Sequence, residues 1–388
     1  MRLLFKLPKV EPEVFQPPKV CPHPGCNGRH FKLLQEVPKP LRDTQYSEVR
    51  ARRYRCLSCG RTFRVYPAGV SQEQFSQRVK GLAVALYLLG LSYGAVSLLL
   101  EALGVFMSRT MVYYTVQRAG RNVPGMKREE VFEGVRTPAL GSDVTSVKVK
   151  GKWYPIGVAV DAAGGIGLSV EGLSGEDAET LKGWLEPIAE AVGAELLVTD
   201  DADAFKEVAD ELGLEHQVCK SHVKRNTERL VEELRSLAER DQDGSLGALG
   251  VSAEQAVADL DRLKELVERR RPEDKEEVRE MLERYLGASP PREWERASVA
   301  YRMRLLFLDR WNLWPWLTRY REWRGARGER IDGTNNAAER VMGWWIKERY
   351  RTMRGYKREE SAVNVSRLLT WVGNHLRRGG ANLALLLA

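Results

Sequence analysis

The chain contains no long hydrophobic run. Across its 388 residues no stretch of eighteen apolar residues occurs, and the longest candidate, Leu82 to Leu91, is too short to cross a bilayer. The N-terminal segment has neither the apolar core nor the cleavage site of a signal peptide, so we expect a cytoplasmic protein. Internal repeats and low-complexity tracts are also lacking. The remaining composition, 43% apolar and 29% charged, is typical of a soluble globular protein with two or three domains.

Cysteine is scarce and unevenly placed. Four of the five cysteines precede residue 60, in two close pairs: Cys21 with Cys26, and Cys56 with Cys59. In a chain without a secretion signal, such pairs favour a metal over disulfides, and four thiolates suit a tetrahedral structural Zn²⁺ site. We therefore predict a zinc ribbon with basic flanks in residues 1–70. The alternatives are four unrelated free thiols, or His23 replacing one of the first two cysteines.

Acidic residues do not balance the basic ones. The net charge is +8 and the sequence pI is near 9.2, which favours a polyanionic partner such as DNA and a nucleoid-associated location. Arginines are concentrated around the second cysteine pair, and we predict that four of them contact DNA phosphates. Those four are Arg52, Arg53, Arg55 and Arg61. Arg50 and Arg64 lie on either side of these four in the sequence. Residues 1–20, rich in Pro and Lys, are expected to be loosely ordered.

Residues 71–122 carry three helical patterns. The third pattern, Arg109 to Ala119, follows the capping residue Ser108 and a turn that contains Gly104. Two helices joined by such a turn are typical of a helix-turn-helix, whose second helix enters the major groove of DNA. We predict Arg109 and Arg118 as DNA contacts on that helix. A plain three-helix packing unit is the alternative.

Residues 136–226 predict a mixed sheet. Three runs rich in Val and Ile are separated by turns, which indicates an antiparallel meander. Two helical segments then alternate with two short strands, so the predicted order is β-β-β-α-β-α-β. Asp143 lies on the first strand and Asp200 follows the fourth. Because the first and fourth strands of such a sheet can be neighbours, these two distant carboxylates can come together.

The rest of the chain is predominantly helical. Residues 227–330 are charge-rich and predict an α-helical insertion that ends in Trp311, Trp314 and Trp316. These tryptophans either pack in its core or include one that stacks on an unpaired base. Residues 331–388 predict final core helices and a tail, and Glu339 lies on the first of these helices. The basic residues that follow are predicted DNA contacts: Lys347, Arg349, Arg351 and Arg354.

Three carboxylates from separate elements suit phosphoryl chemistry that uses two metal ions. Such chemistry needs acidic ligands that hold two divalent ions close together, and Mg²⁺ prefers oxygen ligands while keeping several waters. The candidates are Asp143, Asp200 and Glu339. Three competing carboxylates have simpler interpretations as turn or capping residues. These are Asp161 in a turn, Asp201 at the N-cap of the next helix, and Asp332 before the helix that carries Glu339.

Taken in order, these residues resemble the DDE transposases of bacterial insertion sequences, in the plan of the IS256, Mutator and ISL3 types. The resemblance covers roughly residues 55 to 375 and is specific in the combination of its motifs. One departure is Asp201, at a position that is frequently Gly in such families. The matching motifs are Asp143-x-Thr145, GKWYPIGVAVD, Val198-Thr-Asp200, Cys219-x-x-His222-x-x-Arg225-Asn226 and Thr334-Asn-Asn-Ala-Ala-Glu339.

The resemblance implies an α/β protein with an RNase H-like mixed sheet and an inserted α-helical subdomain, preceded by a small zinc ribbon and a helical DNA-binding domain. It makes Asp143, Asp200 and Glu339 the catalytic residues and the ligands of Mg²⁺ (or Mn²⁺). The implied partner is double-stranded DNA, both element ends and target, bound by a homodimer or higher oligomer. Cys219 and His222 either contribute to a zinc site or pack and hydrogen-bond near the catalytic loop; we favour the latter, since two ligands do not make a zinc site.

The leading function is therefore a transposase that cleaves and transfers DNA strands. A second hypothesis is a non-catalytic DNA-binding regulator derived from a transposase. A third is a related nuclease that cuts DNA without joining it. Intact acidic residues at all three candidate positions argue against the regulator, because drift would erode them.

Overall fold

The computed structural model describes residues 5–353, 355–376 and 378–387, without the side chains of residues 344 and 345. The chain divides into two compact units. The first consists of Met1–Met126, Ser146–Ile156 and Val341–Ala388. The second consists of Lys127–Thr145 and Gly157–Arg340.

Strands and helices occupy most of the described chain. The strands are β1 (Phe5–Lys6), β2 (Glu11–Phe15), β3 (Phe31–Pro40), β4 (Glu48–Cys56), β5 (Thr62–Val65), β6 (Pro67–Ala68), β7 (Ala139–Val149), β8 (Lys152–Asp161), β9 (Gly167–Gly172), β10 (Leu196–Thr199), β11 (Glu215–Val218) and β12 (Ala381–Asn382). The α-helices are α1 (Gln77–Leu88), α2 (Tyr93–Ala102), α3 (Arg109–Arg121), α4 (Ala178–Val192), α5 (Asp203–Glu211), α6 (Lys220–Ala238), α7 (Ser245–Ala248), α8 (Ala253–Arg269), α9 (Lys275–Glu283), α10 (Val299–Glu322), α11 (Asn336–Arg340), α12 (Glu348–Arg351) and α13 (Glu359–Leu376). Short helical turns cover Pro272–Asp274 and Leu383–Leu386, and a π-helical segment covers Val341–Lys347.

A three-stranded antiparallel sheet carries the cysteine pairs of the first unit. Its strand order is β3-β4-β5. Cys56 ends β4, and the turn to β5 is closed by a hydrogen bond from the Gly60 N–H to the Cys56 carbonyl, at 2.9 Å. Gly60 has φ of +70°, a conformation that side chains rarely adopt. Because Cys26 lies shortly before β3, this turn brings the two pairs to the same end of the sheet.

The sequence predicts loose order for residues 1–20, and this prediction is wrong for the two described strands of that segment. β1 pairs in parallel with β12, and β2 pairs antiparallel with β6. Val10, between the two strands, is buried against Val49 and Val70. The prolines limit the segment to short strands. Its pairing partners β6 and β12 are distant in sequence, so the local sequence does not indicate that these strands form.

The three helices expected in residues 71–122 are present as α1, α2 and α3. Each begins after a serine whose hydroxyl accepts a backbone N–H three residues later, and these serines are Ser76, Ser92 and Ser108. Helix α13, from the end of the chain, packs against α3. Their contact is close at Gly120, where a Cβ would lie 2.4 Å from the Asn364 carbonyl oxygen. A fourth helix from the far end of the sequence therefore joins this group.

The predicted β-β-β-α-β-α-β order of the larger sheet is confirmed by β7, β8, β9, α4, β10, α5 and β11. The strand order is β11-β10-β7-β8-β9, so the first strand is central and the fourth lies beside it. β10 pairs in parallel with both β7 and β11. The turn from β7 to β8 consists of Lys150 and Gly151, both with positive φ, as a two-residue antiparallel hairpin requires. This mixed sheet is RNase H-like.

Helix α4 packs on the sheet through one large side chain. Trp184 is fully buried, and its indole N–H donates to the Ser169 hydroxyl of β9 at 3.3 Å. Its ring lies against Gly157 of β8, where an added Cβ would approach the ring to 2.7 Å. Gly157 is therefore required by packing, in a strand where glycine otherwise weakens the pairing.

The helices inserted between β11 and α11 share their own hydrophobic core. The helical block begins at Lys220, directly after β11, and α10 ends at Glu322. Core residues come from α6, α8, α9 and α10, together with Val218 of β11. Trp314 is fully buried there, and its indole N–H donates to the Arg271 carbonyl at 2.8 Å. An α-helical insertion in a mixed α/β fold is thus confirmed.

Among the described residues, no helix has the length and the apolar content needed to cross a membrane.

Candidate active site

Asp143 and Asp200 occupy matching positions on neighbouring parallel strands. Val198 of β10 pairs with Gly141 of β7, and each aspartate lies two residues beyond its strand's member of that pair. Asp200 lies one residue beyond the end of β10, so the pairing register gives the two aspartates equivalent positions along neighbouring chain segments. Both side chains are half-buried. In sheets of this kind, ligand sites form at the carboxyl ends of parallel strands.

A short loop before α11 is held by hydrogen bonds to β7 and to the residues that follow β11. The Asn335 amide group donates to the Ser142 carbonyl of β7 at 2.7 Å, and the Asn335 N–H donates to the Cys219 sulfur at 3.2 Å. The Gly333 carbonyl accepts the N–H of Lys220 at 3.0 Å. Gly333 has φ of +74°, and a Cβ there would meet the Tyr320 ring at 2.7 Å. The loop is therefore held to the first half of β7 and to the residues that follow β11.

Glu339 follows Asn335 by one helical turn. Its N–H donates to the Asn335 carbonyl at 3.1 Å, so both residues lie on one face of the chain as it enters α11. The carboxylate lies 3.3 Å from His222 Nε2 and 3.6 Å from the guanidinium of Arg225. The docked loop thus holds Glu339 beside α6, where its carboxylate contacts two residues of that helix.

Cys219 and His222 form an interacting pair beside Glu339. The hydrogen bond with Cys219, opposed by burial, raises the pKa of His222. Burial alone would raise the pKa of the Cys219 thiol, but hydrogen bonds from His222 and from the Asn335 N–H shift it downward. Both shifts favour the charged forms, a thiolate beside an imidazolium.

Two clusters among the described residues bring three or more ligand atoms within 4.8 Å of one another. One contains Cys219, His222 and Glu339, and the other is the set of four N-terminal cysteines. Asp143 and Asp200 belong to neither described cluster. Glu339 Oε1 and His222 Nδ1 are buried and make no hydrogen bond within the described residues. Sulfur, nitrogen and carboxylate ligands suit zinc, whereas the oxygens of Asp143, Asp200 and Glu339 suit Mg²⁺.

The competing carboxylates have local partners. Asp161 accepts hydrogen bonds from the Thr137 hydroxyl at 2.9 Å and the Ala163 N–H at 3.1 Å, as a turn residue does. Asp332 accepts from the N–H and hydroxyl of Thr334, at 2.8 and 2.7 Å.

Asp201 does not cap α5 as the sequence predicts. The N-cap residue of that helix is Ala202, which has no capping side chain, and its N–H donates to Asp200 at 3.3 Å. Asp201 instead forms an ion pair with Lys206 at 2.8 Å. The prediction fails because the N-cap lies one residue later than predicted, and the Asp201 carboxylate pairs with Lys206 instead of capping the helix.

The four N-terminal cysteines have the spacing of a tetrahedral metal site. Sulfur–sulfur distances are 3.8 Å for Cys21 with Cys59 and 3.8 Å for Cys26 with Cys56. Ligands about 2.3 Å from a zinc ion define a tetrahedron with an edge of about 3.8 Å. The Arg61 N–H, opposed by burial, lowers the pKa of the Cys59 thiol to about 6. The residues present therefore fit a zinc ion.

The predicted DNA-binding arginines beside the cysteines differ in their surroundings. Arg53 is exposed and lies directly opposite Arg64 on β5. Like charges that face each other across strands destabilise a sheet unless an anion lies between them. Arg55 and Arg61 donate to the carbonyls of the two cysteine loops, each at 3.2 Å. Arg52 pairs with Glu36 and lies 4.0 Å from the Phe15 ring, so it is the most neutralised of the four.

The basic residues predicted to contact DNA from the helical part of the first unit fall into three groups: ion-paired, exposed and buried. Arg118 forms an ion pair with Glu73, and Arg351 forms one with Glu348. Arg109 and Lys347 are exposed. Arg349 is 4% exposed and lies inside the unit. Arg354 lies outside the described residues.

The three tryptophans predicted as core or stacking residues all lie on α10. Trp314 is buried, and Trp311 and Trp316 pack partly against the same core. These positions favour the packing interpretation. Among the tryptophans whose side chains are described, two others are exposed: Trp153 at 64% and Trp294 at 96%. Sequence reasoning missed both, although Trp294 stands in a polar segment between prolines and a helix, where core packing is not expected.

No protein-family model and no curated protein matches the chain. Among solved structures, the HTLV-2 integrase catalytic core domain in complex with magnesium is 24% identical, covers 28% of this chain and 75% of its own, and gives a TM-score of 0.19. The simian T-cell lymphotropic virus intasome is 17% identical over 41% of this chain and 62% of its own, with a TM-score of 0.20. The Drosophila P element transposase strand transfer complex is 11% identical over 79% and 81%, with a TM-score of 0.27. At TM-scores this low, these similarities establish neither a family nor an activity.

Proposed function

We propose that the chain is a DDE-type transposase, which binds the ends of a DNA insertion element and catalyses metal-dependent strand cleavage and strand transfer. The observation that carries this proposal is the pairing register of β7 with β10, in which Asp143 and Asp200 each follow a paired residue by two positions. The loop fastened through Asn335 carries Glu339 to the same sheet edge. Three carboxylates that are far apart in sequence thus lie on elements that meet at one edge.

In this proposal Asp143, Asp200 and Glu339 hold Mg²⁺ or Mn²⁺. The buried Oε1 of Glu339 faces His222 Nε2 at 3.3 Å and the Arg225 guanidinium at 3.6 Å, so a cation bound there would compete with these two groups. When bound, the metal supplies activation of water or of a DNA 3′-hydroxyl and neutralises charge on the phosphodiester. The chain itself orients the three carboxylates through strand register and the Asn335 loop. His222 and Arg225 hold the Glu339 carboxylate in place, and Glu339 would exchange these contacts for the metal when the metal is bound.

DNA binding is assigned to the first unit in the same proposal. The four cysteines hold one structural zinc, which fixes the three-stranded sheet and presents Arg53 and Arg64 to phosphates. Helices α1–α3 contain a helix-turn-helix formed by α2 and α3, and Arg109 is the first residue of α3, the second helix of that motif. The partners are double-stranded DNA and further copies of the chain.

A strand-transfer assay tests the proposed function. Labelled oligonucleotides are taken from the DNA that flanks the coding sequence, in particular from any inverted repeats, and are incubated with the protein, Mg²⁺ or Mn²⁺, and target plasmid. Joined products are expected with either metal and not with EDTA. Cleaved but unjoined DNA would favour the nuclease. DNA binding without any product, under every metal condition, would favour the non-catalytic regulator and overturn the proposal.

A further inference from the structure

The first compact unit contains a cavity of about 700 Å³, and its lining includes none of the three proposed metal-binding carboxylates. Its wall is formed by α1, by the starts of α2, α3 and α13, and by the segment between α12 and α13. A cavity of this size is in the range of small-ligand sites, about 300–1,000 Å³. The lining contains tyrosines and cations and no acidic residue.

One side of the cavity is aromatic. Tyr87 and Tyr93 are stacked, with ring centres 4.5 Å apart and an angle of 6° between the rings, and Tyr113 meets Tyr93 edge-on at 5.5 Å. Burial raises the pKa of Tyr87 to about 12 and also raises that of Tyr356, so both phenols stay neutral. Tyr93 and Arg349 cover the two faces of the Tyr87 ring, so a nucleobase would stack on the half-buried Tyr113 ring of this neutral aromatic wall.

The cations of the cavity lack acidic partners. Arg349 is 4% exposed, lies 4.1 Å over the Tyr87 ring and donates to the Leu91 carbonyl at 3.0 Å. Its Nε atom is buried and makes no hydrogen bond within the described residues. No described carboxylate forms an ion pair with it. A buried guanidinium in this state is costly unless an anion pairs with it.

More positive charge surrounds Arg349. Arg109, Lys357 and Arg358 are exposed residues of the lining, and none of them forms an ion pair with a described carboxylate. The lining also includes the first residues of α2 and α3 and a residue of the first turn of α13. Helix N-termini carry free N–H groups and favour anions. Three helix starts and four cations thus surround a cavity with an aromatic wall.

We propose that this cavity binds a nucleoside phosphate, with the base against the tyrosines and the phosphate beside Arg349. The combination selects this ligand class, because an apolar ligand would leave the cations unpaired and a bare anion would leave the tyrosine wall unused. The nucleoside phosphate can come from an unpaired nucleotide of a DNA strand or from a free nucleotide. The proposal does not require the sheet edge to be catalytic.

Equilibrium binding to the full chain tests the proposal and separates the two sources. The probes are fluorescein-labelled duplexes, blunt or with a short single-stranded 3′ overhang, and free dAMP or dATP measured by calorimetry. An unpaired DNA nucleotide predicts tighter binding of the overhang duplex than of the blunt duplex. A free nucleotide predicts calorimetric binding of dAMP or dATP without that preference. Absence of both signals would overturn the proposal.

Matched variants locate the binding. Tyr113→Leu should weaken the specific signal about 5-fold or more, because stacking is worth about 1–3 kcal/mol per base, whereas Tyr113→Phe should retain it. The double variant Arg109→Gln, Arg358→Gln should weaken the specific binding further. The double variant Arg292→Gln, Arg296→Gln changes two arginines outside the cavity and should leave this binding unchanged. Thermal unfolding checks that each variant is folded. Equal losses in the cavity and control variants would contradict the proposal, since they would indicate general electrostatic binding.

Photo-cross-linking gives an independent measurement. Overhang duplexes with 5-iodouracil at the unpaired position should cross-link to Tyr93 or Tyr113, identified by mass spectrometry. A cross-link confined to the three-stranded sheet would place the unpaired DNA nucleotide elsewhere. If free nucleotide did not bind either, that result would overturn the cavity assignment.

Discussion

Asp143 and Asp161 stand on adjacent strands of one sheet, but their surroundings differ. Asp161 accepts hydrogen bonds from the Thr137 hydroxyl and a turn N–H, whereas Asp143 and Asp200 each lie two residues beyond the paired residues Gly141 and Val198. Substituting an amide removes the charge that a divalent cation needs and keeps the shape of the side chain.

We expect Asp143→Asn, Asp200→Asn and Glu339→Gln each to lower metal-dependent cleavage by about 100-fold or more, with DNA affinity unchanged. Cleavage of labelled flanking oligonucleotides and filter binding measure the two quantities. Asp161→Asn and Asp332→Asn are the controls and should retain much of the activity. Near wild-type cleavage by any of the first three variants would remove that residue from the proposed site.

His216 makes folding stability depend on pH. Burial, aided by the positive charge of Lys206, lowers its pKa to about 4, and its ring bonds to the Thr199 hydroxyl at 2.8 Å. Below pH 6.5 the unfolded chain binds a proton there that the folded protein does not bind until about pH 4. The free energy of unfolding should therefore fall by about 3 kcal/mol between pH 6.5 and 4 from this residue alone.

Urea unfolding at pH 7 and pH 4.5 measures this contribution. His216→Gln, which keeps a polar partner for Thr199, should lose less stability over that interval than the wild-type protein loses. Carboxylates also contribute to acid sensitivity, so the comparison between the two proteins carries the result. Identical pH dependence would show that His216 is not the residue responsible.

At the scale of elements, the crossing of α3 and α13 depends on a glycine. Ala usually stabilises a helix interior relative to Gly by up to about 1 kcal/mol. At Gly120 the added Cβ would meet the Asn364 carbonyl at 2.4 Å, so we expect Gly120→Ala to lower the free energy of unfolding by about 1–3 kcal/mol. Gly183→Ala in α4 is the matched control, because no atom lies within 4 Å of its added Cβ. The control should be neutral or stabilising in denaturant unfolding, and equal effects would refute the packing argument.

The three-stranded sheet should depend on its metal. Purified protein should contain about one zinc per chain held by four sulfurs at about 2.3 Å. A Cys56→Ser, Cys59→Ser variant should lose this zinc and the protection of β3–β5 from proteolysis. Elemental analysis measures the metal, and Cys219→Ser, outside the cysteine cluster, should retain it. Full zinc retention in the double variant would rule out the assigned ligands.

At the scale of the whole molecule, the distribution of positive charge should control the salt dependence of DNA binding. Arg53 and Arg64 face each other across β4 and β5. Replacing both with Gln should reduce the slope of log affinity against log salt by about 2, because each phosphate contact contributes about 0.9. Arg292→Gln with Arg296→Gln changes the net charge equally and should leave the slope nearly unchanged. The same loss in both variants would mean that net charge, rather than this sheet, controls binding.

The parts of the fold that depend on local sequence could be predicted. Alternating β-branched residues, the Lys150-Gly151 turn and the serine caps determine strands and helices within a few residues of themselves. Three features depend on residues hundreds of positions apart: the pairing of β1 with β12, the contact of Gly120 with Asn364, and the burial of Arg349. Sequence shows the charge of Arg349 but not what encloses it, so the tyrosine cavity could not be inferred.

The division of the chain into two compact units has a consequence for its biogenesis. The polypeptide passes between the units after Met126, Thr145, Ile156 and Arg340, so neither unit is one continuous segment. The first unit lacks α13 and β12 until the helices of the second unit have been synthesised, although its cysteines and helices α1–α3 emerge from the ribosome earlier. Contacts of such long sequence separation form slowly. Helix α13 therefore completes the structure that α1–α3 begin, and a chain terminated before α13 exposes the apolar face of α3 to chaperones and proteases.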